Sequence, residues 1–251
     1  MKIHELLEHI DSFAPFSLAE EWDNPGLLVG SLNAEVQRVG VCLDAVSSAV
    51  IEAEKLGCNA LVCHHPVIFR GMKSITDSSE QGRTILEAIR RNINIIAVHT
   101  NWDKAPGGVN DILAGLLELK DTQPLDEFGV VGRMSAAMFR PTFLEHVKAS
   151  WKLTHIDCYG QPAKISRVAL CGGSGSEFWR TAKKLNADIF LTADMKYHEL
   201  SDAVNEGLAI GLINHGEMER ASIPELAHKI SLGGFETELL DVKALPEPLR
   251  L

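Results

Sequence analysis

Three shortages narrow the field before any motif is read. No apolar run approaches the roughly 18 residues that a membrane-spanning helix needs, so the chain reads as a soluble protein with no membrane segment. Positive charge is in deficit: 24 Lys and Arg against 34 Asp and Glu leave a formal net charge of −10. Such a surface does not suit nucleic acid, although a local basic pocket for a small anion stays open. Cysteine is sparse and unpaired in pattern: five residues at 42, 58, 63, 158 and 171 form no CxxC motif or zinc knuckle. Cys42, Cys63 and Cys171 sit inside apolar runs, as buried reduced thiols of a cytoplasmic protein do. The opening MKIHELLEHIDSF alternates apolar and acidic residues like an amphipathic helix and does not read as a signal peptide. What is present is ordinary for a globular protein. With 45% apolar and 23% charged residues, a chain of 251 has room for one large domain or two small ones.

Strand and helix signals alternate. RVGVCL (38–43), NALVC (59–63) and INIIAVH (93–99) read as strands. SSAVIEAEKLG (47–57), GRTILEAIRRN (82–92) and GGVNDILAGLLELK (107–120) read as helices. The later chain repeats the pattern. RVALC (167–171), ADIFLT (187–192) and LAIGLIN (208–214) are strands. SGSEFWRTAKKLN (174–186, with Ser174 or Ser176 as N-cap), KYHELSDAVNEG (196–207) and a stretch near 217–231 are helices. The expectation is an α/β fold with largely parallel, buried strands. Setting 38–65 against 167–194 at a constant offset of 129 aligns Arg38, Val39, Cys42, Ser47, Ala53, Lys55 and Leu56 with identical residues, strand on strand and helix on helix. Ordinary composition would match about one or two. We read this as an internal duplication, with pseudo-repeat lobes of about 1–124 and 125–251.

The duplication places polar residues after equivalent strands. One strand of the first repeat ends in His64–His65, and its counterpart ends in Ala193–Asp194. The next strands are followed by His99 with Asp103 four residues on, and by His215 with Glu219 four residues on. Ligands of open α/β sheets bind outside the carboxyl ends of strands, and two related sheets facing each other would gather these groups. Imidazole with carboxylate and no thiolate suits Zn, Fe, Mn, Co or Ni at a hydrolytic site. Three or four histidines with two carboxylates exceed one catalytic zinc and suit two metals.

EWDNPGLLVG, CHHPVIF, HTNWD, TADMKYHE and INHGEMER, in this order and spacing across essentially the whole chain, resemble the signature stretches of the Nif-three-like family. Its bacterial members carry the label GTP cyclohydrolase 1 type 2 homologue. The resemblance implies a single family unit over 1–251: two similar, intertwined α/β lobes with a dinuclear metal site in the cleft between them, assembled as a homohexamer. Carried over by position, the ligands of two divalent ions per subunit are His64, His65, Asp103, His215 and Glu219, with Glu219 bridging and His99 a further contact. The implied activity is metal-dependent hydrolysis, by the family label the opening of the imidazole ring of guanine in GTP; such an enzyme needs groups able to move protons, and Glu217 and His99 beside Glu219 are the candidates. A metal-binding, metal-delivery or regulatory protein without turnover is the other reading.

Three stretches are candidate substrate contacts. In CGGSGSE (171–177), Gly172, Gly173 and Ser174 form a glycine-rich turn ahead of a helix, an arrangement able to hold phosphate. It lacks the GK[ST] of a Walker A loop and the full GxGxxG spacing. WDNPGLLVG (22–30) contains an Asn-Pro-Gly turn, read as a loop anchored by Trp22 and, by the resemblance, as the rim of the cleft. Lys196 and His198, just past a strand end, could reach an anionic substrate or simply begin a solvated helix.

Overall fold

Ile3, Leu6 and Ile10 recur at helical spacing. In the computed structural model, which describes residues 1–246, they form the buried face of helix α1 (Ile3–Phe13). The chain continues through β1 (Gly26–Val29), β2 (Val39–Asp44), α2 (Ser47–Lys55), β3 (Ala60–His65), α3 (Glu80–Arg90), β4 (Asn94–Ala97) and the short α4 (Thr100–Lys104). It then builds a second sheet with α5 (Val109–Leu116), β5 (Lys120–Pro124), β6 (Val130–Phe139), α6 (Arg140–Trp151), β7 (Ile156–Tyr159), β8 (Lys164–Ser174), α7 (Trp179–Lys184), β9 (Ile189–Ala193), α8 (Tyr197–Asn205), β10 (Ala209–Ile213) and α9 (His215–Arg220). Finally α10 (Ile223–Leu232) and β11 (Thr237–Leu239) return to the first sheet. Two compact units result. One takes Met1–Ala105 and the chain from Ile223 onward; the other is Pro106–Ser222. The boundary expected near residue 124 thus falls inside the second unit, at the end of β5.

The first unit holds a five-stranded sheet, order β1-β4-β3-β2-β11; the second holds six strands, order β5-β6-β8-β9-β10-β7. The quartets β1-β4-β3-β2 and β7-β10-β9-β8 share one plan. Three parallel strands are flanked by an antiparallel edge strand that precedes them in the chain. The registers agree as well: Val39 pairs with Ala60, and Val168 pairs with Ile189, both at the offset of 129. The sheets are nevertheless mixed rather than largely parallel, because β1, β5, β6 and β7 all pair antiparallel. These strands alternate weakly or lie at an edge, as the fully exposed β5 does, so periodicity did not mark them.

The strands β2, β3, β4 and β9 are buried almost throughout, which is why they read as apolar runs without alternation. In the first unit, Cys42, Leu61, Cys63 and Ile95 pack against Ala49 and Val50 of α2 and Ile85 of α3. In the second, Ala169, Phe190 and Ile210 pack against Trp179 and Ala182 of α7 and Ala203 of α8.

Three expectations need correction. The helix expected over 107–120 stops at Leu116, and Lys120 already begins β5; the apolar pattern runs out at Leu119. The stretch near 217–231 is two helices, with Ala221 and Ser222 between them. The region 174–186 opens as a 3-10 turn, Ser176–Phe178, and neither Ser174 nor Ser176 caps α7. Among the described residues, no helix is long and apolar enough to cross a membrane.

Candidate metal centre

Strand β3 ends in the histidine pair, as expected from the sequence, and includes both residues. His64 is fully buried and His65 half-buried, and their rings stand 5.0 Å apart. The His99 ring lies 5.2 Å from that of His64 and 5.7 Å from that of His65. Three ring nitrogens, one from each, fall within 4.8 Å of one another, a grouping able to hold a metal ion. His99 thus lies with the pair.

The way these rings are held is more telling than their proximity. His64 Nδ1 donates to the Val98 carbonyl oxygen at 2.9 Å, an atom that can only accept. His65 Nδ1 donates to Asp44 Oδ1 at 2.7 Å, and His99 Nδ1 donates to Asp23 Oδ1 at 2.7 Å. In the second unit, His215 Nδ1 donates to Asp194 Oδ2 at 2.5 Å. All four imidazoles are fixed through Nδ1 and present Nε2, and in three of them the anchor is a carboxylate. This is the outer-shell pattern of metal-binding histidines. Carboxylate oxygens stand beside two of the Nε2 atoms: Asp103 Oδ1 is 3.6 Å from His64 Nε2, and Glu219 Oε2 is 3.1 Å from His215 Nε2. Either a proton on the imidazole or a cation between the two atoms would satisfy such a contact.

Local structure explains the placement. Asp103 rides on α4, whose Thr100, Asn101 and Trp102 are buried; Asn101 Nδ2 donates to the Ala14 carbonyl at 2.7 Å. Asp23 binds the start of α4 through Thr100 N at 3.0 Å and Thr100 Oγ1 at 2.5 Å. Burial pushes its carboxyl up, but the hydrogen bonds from His99 and Thr100 outweigh this and bring it down to about 2. Asp194 follows β9 with φ 51°, a left-handed conformation that Asp tolerates better than most residues. Ladder registers also refine the repeat. Ala60 pairs with Asn94 and Ile189 with Ala209. His99 and Asn214 are therefore the equivalent N-cap positions, and His215 lies one residue further on.

Other expected residues take different work. Gly172, Gly173 and Ser174 belong to β8 and do not form a turn. Gly172 N–H is committed to Asn110 Oδ1 at 2.8 Å. Gly173 has φ +67°, and a Cβ there would meet Glu219 Oε1 at 2.2 Å, so its role is to leave room for that carboxylate. Ser174 Oγ is 3.4 Å from Asp194 Oδ2. Glu217 accepts from Thr154 N at 2.8 Å and Thr154 Oγ1 at 2.7 Å, a clamp on the segment entering β7. Trp22 does not anchor its loop; it is exposed, and the neighbouring Asp23 is the anchor. Lys196 and His198 are exposed around the start of α8. Sequence reading missed Asp23 and Asp44 as histidine anchors, although Asp44 ends the strand beside β3 and could have been found by pairing the strands.

These anchors predict a measurable effect. Asp44→Ala should weaken metal binding about 10- to 100-fold while the chain stays folded, since the change removes the partner that orients His65. Competition with a chelator of known affinity, alongside circular dichroism, checks it. Wild-type affinity in the variant would contradict the ligand role of His65.

The family description Duf34/NIF3 (NGG1p interacting factor 3) matches residues 1–246. The chain belongs to the Duf34/NIF3 family. Among relatives, a Clostridium perfringens protein named GTP cyclohydrolase 1 type 2 homolog is 33% identical over 239 residues, covering 92% of this chain and 91% of its own. A Lactococcus lactis protein of the same name is 35% identical over 236 residues, with the same coverage. A Staphylococcus aureus crystal structure matches at 28% identity with a TM-score of 0.91, covering 100% of this NIF3-family chain and 99% of the other. The Bacillus cereus protein related to NIF3 matches with a TM-score of 0.95 at 24% identity, again over 100% and 99% of the two chains; at that identity the likeness speaks for the fold.

Proposed function

We propose that this NIF3-family chain is a hydrolase working with two divalent metal ions held by His64, His65, Asp103, His215 and Glu219, with Glu219 shared between the ions. The observation that supports this is the common anchoring of His64, His65, His99 and His215 through Nδ1, which is how the rings of metal-binding histidines are held. Zn, Fe, Mn, Co and Ni all fit the imidazole and carboxylate donors. When bound, such a pair of ions lowers the pKa of water and stabilises developing negative charge.

The chain's own residues supply the rest. Asp44 and Asp194 hold two imidazoles in the ligating tautomer. Asp23 keeps its negative charge down to about pH 2 and orients the His99 ring through Nδ1. His99 Nε2 is therefore suited to take a proton from water and return it to a leaving nitrogen. The names of the relatives suggest GTP as substrate. Opening the guanine imidazole ring consumes two waters. The first adds at the carbon between the ring nitrogens and breaks one carbon–nitrogen bond to leave a formamide; the second releases that carbon as formate. Each step takes one proton from water and gives one to nitrogen, which a single His99 imidazole can cycle. A cytoplasmic homo-oligomer, a hexamer by the resemblance, completes this reading.

One observation favours non-catalytic metal binding instead. Both oxygens of Glu217, an expected proton carrier, are engaged by Thr154. The test separates the two. The purified chain is expected to carry about two metal ions and to release formate from GTP, with both lost together on chelation. Full occupancy with no turnover on any nucleotide would leave metal binding alone; one ion or none would remove the dinuclear site.

A further inference from the structure

The loop leaving β3 passes directly from His65 to Phe69, Arg70 and Lys73, and the hydrolase reading gives none of these a task. Two side chains tether its near end: Gln81 Nε2 donates to the Val67 carbonyl at 2.6 Å, and Asn24 Nδ2 donates to the Ile68 carbonyl at 2.5 Å. Asn24 and Trp22 flank Asp23, which holds His99. One small hydrogen-bond set therefore fixes Trp22, Phe69 and His99 together. The three rings form a triangle: Trp22 to Phe69 is 5.8 Å, Phe69 to His99 is 6.0 Å, and Trp22 to His99 is 6.3 Å. Trp22 is 58% exposed and Phe69 38%, whereas Trp102, Trp151 and Trp179 are buried. Solvent-facing aromatic rings cost hydrophobic free energy, and fixing two of them beside a histidine cluster offers a stacking surface at the reactive end of the site.

Immediately beyond Phe69 lies an open cavity of about 440 Å³, lined by Phe69, Arg70, Lys73, Ser74, Ser79 and Gln81. Its wall is polar and cationic, and neither Arg70 nor Lys73 forms an ion pair among the described residues. On a chain of net charge −10, two unneutralised cations and two hydroxyl-bearing residues around one hollow suit an anion, and an arginine suits phosphate in particular.

Resting on the hydrolase reading only for the position of the reacting end, we propose that Trp22 and Phe69 bind the planar ring of the substrate and that the Arg70–Lys73 hollow binds its phosphate chain. His65, Phe69 and the cationic hollow follow one another along the loop leaving β3, and Trp22 and His99 meet Phe69 from two other segments. Their order matches a heteroaromatic ring whose reacting edge meets His99 and whose anionic tail points away. Arg70 and Lys73 then act in specificity, separating a nucleotide from its nucleoside, and they do not take part in the chemistry.

The test uses the metal-loaded chain and three probes: GTP, guanosine and inorganic tripolyphosphate. Trp22 is the exposed indole, so ring binding is expected to quench tryptophan emission, and Trp22→Phe should abolish most of the signal. Calorimetry should find guanosine about tenfold or more weaker than GTP, with tripolyphosphate competing against GTP. Arg70→Gln with Lys73→Gln should weaken GTP about tenfold and leave guanosine unchanged. Phe69→Ala should weaken both about tenfold, as loss of a stacking ring does. GTP affinity unchanged in both sets of variants, or no binding of any probe, overturns the assignment. Binding that follows these variants without turnover keeps the subsite and removes the hydrolase. Turnover with wild-type KM in the variants keeps the hydrolase and removes the subsite.

Discussion

Trp102→Ala is expected to destabilise the first unit by roughly 3–5 kcal/mol, the usual cost of emptying a large aromatic site. Trp102 is fully buried. Its ring meets Phe13 edge-on at 5.9 Å, and Lys229 Nζ lies 6.0 Å from its centroid. It therefore ties α1 and α10 to α4, together with the Asn101–Ala14 hydrogen bond. Trp102 and Asp103 are neighbours on the same short helix, α4. A thermal melt should show the midpoint lowered by roughly 10 °C or more. At temperatures where the variant remains folded, metal affinity should fall as well. A midpoint within about 2 °C of wild type would mean that α4 is not held by this residue.

Gly173→Ala should strike the His215–Glu219 pair of the second unit. The left-handed φ of +67° costs a non-glycine residue about 1–2 kcal/mol. The new methyl would lie 2.2 Å from Glu219 Oε1 and 3.2 Å from the His215 ring. Glu219 is buried, so its carboxylate has little room to retreat. The expected outcome is a folded chain whose metal affinity and any turnover fall by about 100-fold or more, with elemental analysis showing substoichiometric metal. Gly172→Ala is not an equivalent control, since its Cβ would meet Val109 at 2.7 Å in the core. Gly207→Ala is a better one: it also has positive φ, +91°, but nothing within 4 Å. It should share the conformational cost and keep the metal. Equal metal loss in both variants would place the effect in backbone strain rather than at Glu219.

Parts of this protein were legible before any coordinate. The parallel strands β2, β3, β4, β8, β9 and β10 announced themselves because burial on both faces demands unbroken apolar runs. The offset of 129 survived as identical residues because both units use the same register, Val39 to Ala60 and Val168 to Ile189. The edge and antiparallel strands were hidden for the opposite reason: β5 is exposed throughout and β7 alternates over only four residues, so neither has a hydrophobic signature. Gly172–Ser174 read as a turn and lie in a strand for a chemical reason. Glycine marks both a phosphate cradle and a strand that another side chain must approach, and only the position of Glu219 tells the two apart.

The sequence by itself determined which residue types follow which strands: His64, His65, His99, Asp103, His215 and Glu219 are placed by local periodicity, and local periodicity is written along the chain. Tertiary structure alone decided which nitrogen each imidazole presents. That choice belongs to Asp23, 76 residues from His99, to Asp44, 21 residues from His65, and to Asp194, 21 residues from His215. A histidine's tautomer is set by the acceptor it meets in space, and chain order does not carry that information until the strands are laid side by side.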